Sequence, residues 1–148
     1  MLKKTSFLLV VFLISIQFIS IDKTNPKIDR TIALNSDVEV MEILKKSCYD
    51  CHSNETKHTI YSDIAPLSFG ISSHISNGRK ALNFSNYETI DKEIKIARLQ
   101  RAITTVKNGM MPLPSYLMFH DEAQMNSSER KILLEWFERE LEQCMNTP

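Results

Sequence analysis

The chain has 148 residues and no formal net charge at pH 7, because 18 basic residues balance 18 acidic ones. This length suits one modest domain, and the absence of a basic surplus argues against nucleic acid as a partner. With only three glycines and five prolines, a many-turned β sandwich is disfavoured and an all-α fold is expected. Three cysteines, an odd number, do not predict a disulfide framework.

The N-terminal segment has the pattern of an export signal. Lys3 and Lys4 precede an apolar run from Phe7 to Ile21 that is interrupted by three polar residues, and no Ala-x-Ala cleavage site follows. We therefore predict that residues 1–21 form a signal anchor or a signal peptide. Basic residues before the apolar run favour a membrane-anchored chain with its domain on the periplasmic, outer side. Secretion to the periplasm after signal cleavage is the alternative.

Residues 22–35 are polar, contain Pro26 and lack helical periodicity, so they are predicted to be a linker. The domain is expected to cover residues 36–145. A capping-box pattern, Ser36 to Glu39, predicts a first helix over roughly 37–47. A second helix is expected to start at Pro66 and to end near Gly78.

The sequence of the second half of the domain predicts two longer helices separated by a loop. An apolar stripe indicates a helix over about 89–108, with Gly109 as its C-cap. Residues 110–114 contain two prolines and cannot continue that helix. Residues 126–129 offer another cap for a terminal amphipathic helix, on whose last turn Cys144 is expected to be a buried free thiol.

Residues 48–52 read Cys48-Tyr49-Asp50-Cys51-His52, the arrangement in which two thiols bind the vinyl groups of a haem and the next imidazole binds its iron. We therefore predict one covalent haem c held by Cys48, Cys51 and His52. A redox dithiol, a structural disulfide or a zinc site are the competing interpretations. The first lacks a βαβ setting, and zinc would have to recruit dispersed ligands.

The sixth iron ligand is less well specified by the sequence. Met111 lies just before Pro112 in the loop after a long helix, and its thioether could approach the iron opposite His52. Met110, His74 and His120 are alternatives, as is an open position. Tyr116, which directly follows the loop, is predicted to lie near the haem and to tune a ligand or a propionate.

At residues 48–52 and 111–116 the chain resembles the haem-binding domain family of small, membrane-anchored, single-haem c-type cytochromes. The resemblance extends to further segments, which are residues 17–19 with 21–26, 53–56, 61–62 with 64–66, and 83–85. It implies a cytochrome-c-like helical domain, with His52 as proximal ligand and Met111 as the matching methionine. Family members carry tryptophans where this chain has His58, Ile60 and Phe69, so this part of the pocket wall differs.

Three functions are compatible with these features. One-electron transfer through a ligated iron comes first and would make the protein a carrier rather than an enzyme. A haem enzyme or gas or peroxide sensor with an open sixth position is the second. The third is a haem subunit of a larger membrane complex. The expected partners are a redox protein or a membrane respiratory complex, and the membrane itself through the N-terminal segment.

Overall fold

The computed structural model describes residues 2–146 and confirms the all-α prediction, since no strand occurs in that range. Within residues 2–146, seven α-helices are joined by loops and short 3₁₀ turns. Their bounds are α1 Leu2–Ser15, α2 Val38–Ser47, α3 Tyr49–His52, α4 Leu67–Ala81, α5 Lys92–Lys107, α6 Pro114–Leu117 and α7 Ser127–Asn146. The 3₁₀ turns are Ile16–Phe18, Ile60–Asp63, Phe84–Thr89 and Asp121–Ala123.

The core is built where α5 packs along α7 and α2 packs across α7. Each helix contributes the buried stripe of its apolar pattern, because side chains three and four residues apart share a face. Leu44, Leu99 and Leu133 are completely buried in this core. Tyr87 and Trp136 extend it as an aromatic pair with ring centroids 6.3 Å apart. This core holds the α2 end from which the 48–52 motif begins.

The two predicted capping boxes differ in outcome. At α7 the Asn126 side chain accepts the Glu129 amide and the Glu129 carboxylate accepts the Asn126 amide, each at 2.9 Å, as a capping box requires. At α2 the N-cap is Asp37 rather than Ser36, and no side chain there bonds the first turn. The helix itself is present at Val38–Ser47, so the apolar pattern rather than the cap sets its position.

The prediction that Gly78 ends the second helix is wrong. Helix α4 continues through Gly78 to Ala81, and Gly78 is buried against the haem motif. A Cβ at this position would lie 2.4 Å from the carbonyl oxygen of Cys51. The glycine is therefore required for the close approach of α4 to α3 rather than for a turn.

The glycine after α5 does act as predicted. Gly109 has a φ of +67°, the left-handed conformation that ends many helices. Residues 110–113 are not helical, in agreement with the prediction for this stretch, but Pro114 belongs to α6 as its first residue. Proline is suited to that position because a first-turn amide has no partner within the helix.

The N-terminal segment is attached to the domain. Helix α1 exposes its apolar side chains from Phe7 to Ile14, and within residues 2–146 no helix is both long and apolar enough to cross a membrane. Beyond it, the Gln17 carboxamide donates to the carbonyl of Ala65 at 2.9 Å and accepts its amide at 3.0 Å. Residues 22–35, predicted to be a linker, also contact the domain. Within them, Leu34 donates its amide to Phe84 at 2.8 Å.

Candidate haem-binding site

The 48–52 motif forms a single compact turn. Cys48 ends α2 and precedes α3, and its carbonyl accepts the amides of Cys51 at 3.2 Å and His52 at 2.9 Å. These bonds bring the two cysteines and the histidine onto one turn. Both cysteines are free and, like His52, half-buried, so the structure gives no support to a disulfide between them.

Both thiols are held in the protonated state at neutral pH. Burial raises the pKa of Cys48 to about 12, with a smaller contribution from Cys51. Burial also raises the pKa of Cys51 to about 11, and the neighbouring Asp50 carboxylate acts in the same direction. Neither thiol has the lowered pKa that is typical of a redox-active C-x-x-C dithiol. This argues against the redox-dithiol interpretation.

His52 is oriented by a carbonyl from the end of α4. Its Nδ1 lies 2.9 Å from the Leu82 carbonyl oxygen, and because a carbonyl can only accept, Nδ1 carries the proton. Burial lowers the pKa of His52, against the opposing effect of the carbonyls of Leu82 and Gly78. The ring is therefore neutral, with its lone pair on Nε2. This is the form in which histidine binds a metal, with its other nitrogen oriented by a backbone carbonyl.

Arg79 anchors the loop that follows the motif. Its Nε donates to the Ser53 carbonyl at 2.8 Å, and its Nη2 donates to Asn25 Oδ1 at 2.7 Å and Thr56 Oγ1 at 3.0 Å. The Thr56 hydroxyl in turn donates to the Asp50 carbonyl at 2.6 Å. One side chain of α4 thus fixes the loop after α3 and the N-terminal segment in the same place.

A cleft of about 330 Å³ opens beside Cys51. Its walls come from α3, α4, the Ile60–Asp63 turn, α6 and the loops beside them, and most of the wall surface is apolar, as is usual for a cofactor site. A neighbouring cleft of about 490 Å³ shares four wall residues with it, which are His58, Ser62, Ile71 and Ile75. Of the predicted site residues, Cys51 and Tyr116 line the first cleft, whereas Cys48, His52 and Met111 do not.

Tyr116 links the motif to a second polar group in the cleft. Its hydroxyl donates to Asp50 Oδ2 at 2.8 Å, and its ring stacks on His120 with centroids 4.2 Å apart and planes 19° apart. His120 has both ring nitrogens engaged, since Nε2 is hydrogen-bonded to the Tyr61 hydroxyl and Nδ1 donates to the Glu122 carboxylate at 2.9 Å. For His120 to bind iron, one of these bonds would have to break.

The other candidate ligands lie in different surroundings. Met111 is half-buried and packs against the core, while Met110 is exposed. His74 and His58 are exposed and line the first cleft. No group of three or more His, Cys, Asp or Glu able to hold a metal ion occurs in residues 2–146, so the zinc interpretation has no ligand set there. Cys144 is half-buried and packs against the core.

Sequence reasoning missed several contributors to the site. The Leu82 carbonyl and Asp50 carboxylate carry no signal in a motif search, because one is backbone and the other occupies a variable motif position. Gly78 did carry a signal, since a glycine inside a helical pattern often marks close packing. Nothing in the sequence distinguishes Tyr61 from the other aromatic residues of the domain. Tyr61 and Tyr116 line the cleft, whereas Phe84, Tyr87 and Trp136 are buried in the core.

The residues of this site fit a haem. Two protonated thiols and one neutral, oriented imidazole lie on one turn beside a largely apolar cleft. Comparison with known proteins agrees, since residues 11–139 match the family model described as a haem-binding domain. No curated protein and no solved structure matches the chain significantly. Because the match covers most of the sequence, the chain belongs to the haem-binding domain family.

Proposed function

We infer that this protein is a single-haem c-type cytochrome domain that transfers one electron at a time. The observation that carries this proposal is the turn at residues 48–52, where two free thiols precede an imidazole oriented by the Leu82 carbonyl. A redox dithiol or a zinc site would not need this combination. Membership of the haem-binding domain family supports the same reading.

The proposed role of the 48–52 motif is to attach and ligate the haem. Cys48 and Cys51 would hold the haem through two thioethers. Each S–H would add across one vinyl group, with sulfur on one carbon and hydrogen on the other, so no external oxidant would be needed. His52 would supply the proximal ligand through Nε2. The bound haem would supply the iron that changes oxidation state.

Met111 is proposed as the sixth ligand, because its thioether follows α5 on a loop fixed by two prolines. Its packing against the core in this structure means that its side chain would have to reorient toward the iron. One observation supports the alternative in which the sixth iron position is open. Tyr61, His74 and His120 line the cleft beside Cys51, and Met111 does not. A sensor or enzyme would use such polar groups around a bound gas or peroxide.

The proposed location is the outer side of the cytoplasmic membrane, with attachment through the apolar N-terminal segment. The exposed apolar side chains of α1 support attachment, because water is an unfavourable environment for them. Cleavage and release to the periplasm is the alternative. The proposed partners are a redox protein or a membrane respiratory complex, in which the domain would serve as a haem subunit.

Covalent attachment is tested by denaturing electrophoresis followed by haem staining of the exported protein. We expect the wild type to stain, and the double variant Cys48→Ala with Cys51→Ala to lose the stain completely. Cys144→Ala is the matched control, because it removes the third cysteine and should stain as the wild type does. Stain retained by the double variant, or absent from the wild type, would refute covalent haem.

The sixth ligand is tested by visible spectra of the oxidised protein. A sulfur-to-iron charge-transfer band in the wild type that disappears in Met111→Ala, but not in the neighbouring control Met110→Ala, supports the electron carrier. A wild type that lacks this band and binds carbon monoxide after reduction supports the sensor or enzyme. In that case Met111 is not a ligand.

A further inference from the structure

Five exposed apolar side chains lie in residues 60–67 and 118–119, two segments that also contribute residues to the wall of the cleft, and we call these five the apolar rim. Outside α1, the residues that the structure describes contain eleven exposed large apolar side chains, and five of these belong to the rim. Two more, Phe18 and Ile19, follow α1. The rim consists of Ile60, Ile64, Leu67, Met118 and Phe119.

The two segments of the rim lie against each other. The rings of Tyr61 and Phe119 lie 5.0 Å apart between centroids, which brings the Ile60–Asp63 turn against the residues that follow α6. Leu67 and Phe119 both line the cleft beside Cys51. Exposed apolar residues that occur singly need no explanation, but a contiguous patch at the mouth of a cleft indicates an interaction surface.

The Gln17 side chain links the end of the N-terminal helix to this surface. The Gln17 carboxamide uses one amide hydrogen to bond the Leu13 carbonyl at 3.0 Å, near the end of α1. Its other amide hydrogen and its oxygen bond the backbone of Ala65, which lies between rim residues Ile64 and Leu67. Nearby, Lys23 forms an ion pair with Asp63. The end of α1 and the rim are therefore held next to each other.

We propose that the rim rests in the lipid headgroup layer of the membrane, so that the mouth of the haem cleft faces the bilayer. The proposal rests on the membrane attachment of α1 proposed above. If the apolar side chains of α1 enter the bilayer, Gln17 holds residues 60–67 at the depth where α1 leaves it. Apolar side chains at this depth are stabilised by burial at the boundary between headgroups and acyl chains, as in interfacial helices. An electron donor at the membrane surface would then reach the cleft directly.

The test uses the full holoprotein with Cys144→Ser. With Cys48 and Cys51 bound to haem as proposed, the added cysteine is the one that takes the label. Nitroxide labels are placed by Ile60→Cys in the rim, by Phe12→Cys in α1 and by Val38→Cys as a control. Val38 is 76 % exposed and Ile60 85 %, so both sites accept a label. Collision of each nitroxide with oxygen and with a water-soluble nickel complex is measured in phosphatidylcholine vesicles by electron paramagnetic resonance.

We expect the labels at positions 12 and 60 to lose contact with the nickel complex when vesicles are added, and the label at 38 to keep it. Loss at position 12 alone overturns the rim proposal and leaves the attachment of α1 intact. No loss at position 12 refutes that attachment, and with it the basis of the rim proposal. Loss at all three positions indicates general adsorption and also overturns the rim proposal.

A second variant tests the link between α1 and the rim. Gln17→Ala removes the bonds to Ala65 but leaves the apolar residues of α1 unchanged. We expect the label at position 60 to regain contact with the nickel complex, while the label at position 12 stays shielded. An unchanged shielding at position 60 would mean that Gln17 does not hold the rim at the membrane.

Discussion

Gly78 offers the sharpest test of how the haem motif is held. In Gly78→Ala the new Cβ would lie 2.4 Å from the Cys51 carbonyl oxygen and 3.1 Å from the Cys51 Cβ. Ordinary van der Waals contact begins at 3.4 Å, so α4 and α3 must separate by about 1 Å. The obstacle is a backbone carbonyl, which cannot rotate away as a flexible side chain can. Overpacking of this kind costs about 1–3 kcal/mol.

Gly70→Ala is the matched control, because it lies in the same helix and its Cβ meets no heavy atom within 4 Å. Both variants gain about 1 kcal/mol from the higher helix propensity of alanine, so the difference between them isolates the steric cost. We expect Gly78→Ala to unfold about 1–3 kcal/mol more easily than Gly70→Ala in urea, monitored by circular dichroism. Its haem content per chain should also fall. Equal stability of the two variants would refute the close approach of α4 to α3.

Three further predictions concern polar contacts of the domain. Tyr116→Phe removes the hydroxyl that donates to Asp50, and should lower the free energy of unfolding in urea by about 1–3 kcal/mol; an unchanged value would mean that water replaces this bond. Asn126→Ala removes the N-cap of α7 and should lower the thermal midpoint, in keeping with a cost of about 1 kcal/mol; an unaltered midpoint would contradict the cap. The Lys46 side chain, and then the Asn126 backbone, lower the pKa of Glu129 from 4.5. A carboxylate whose pKa is lower in the folded than in the unfolded chain stabilises the fold at pH values above its unfolded pKa. Acidification below about pH 4.5 should therefore reduce the stability of the wild type, and do so less in Glu129→Gln. Identical dependence of stability on pH in the two proteins would exclude this contribution.

The Gln17 and Arg79 contacts give the N-terminal segment a structural role beyond tethering. Gln17 bonds the backbone at Ala65. The Arg79 side chain donates hydrogen bonds to Asn25 as well as to Ser53 and Thr56. The segment therefore contacts the two loops that border the clefts. A truncated protein that begins at residue 36 would lack both contacts.

Much of the local structure follows from the sequence alone. The spacing of Cys48, Cys51 and His52 puts them on one turn whatever surrounds them, because a helical turn spans about four residues. The apolar stripes of α2, α5 and α7 likewise set the helices, and Gly109 ends α5 as its pattern predicts. These are interactions between close neighbours in the chain. The assignment of haem to Cys48 and Cys51, and of iron to His52 and Met111, remains a prediction from the same motifs.

Only the tertiary structure decided which distant residues complete the site. The Leu82 carbonyl is 30 positions from His52, and Gly78 is pressed against Cys51 from another helix. Local periodicity could not predict that Gly78 lies inside α4, because the reason for it is the approach of two helices. The bonds from Gln17 to Ala65 span 48 positions, and the bond from the Leu34 amide to the Phe84 carbonyl likewise joins residues 22–35 to the domain. Such contacts depend on the path of the whole chain, whereas helix periods and caps depend on a few adjacent residues.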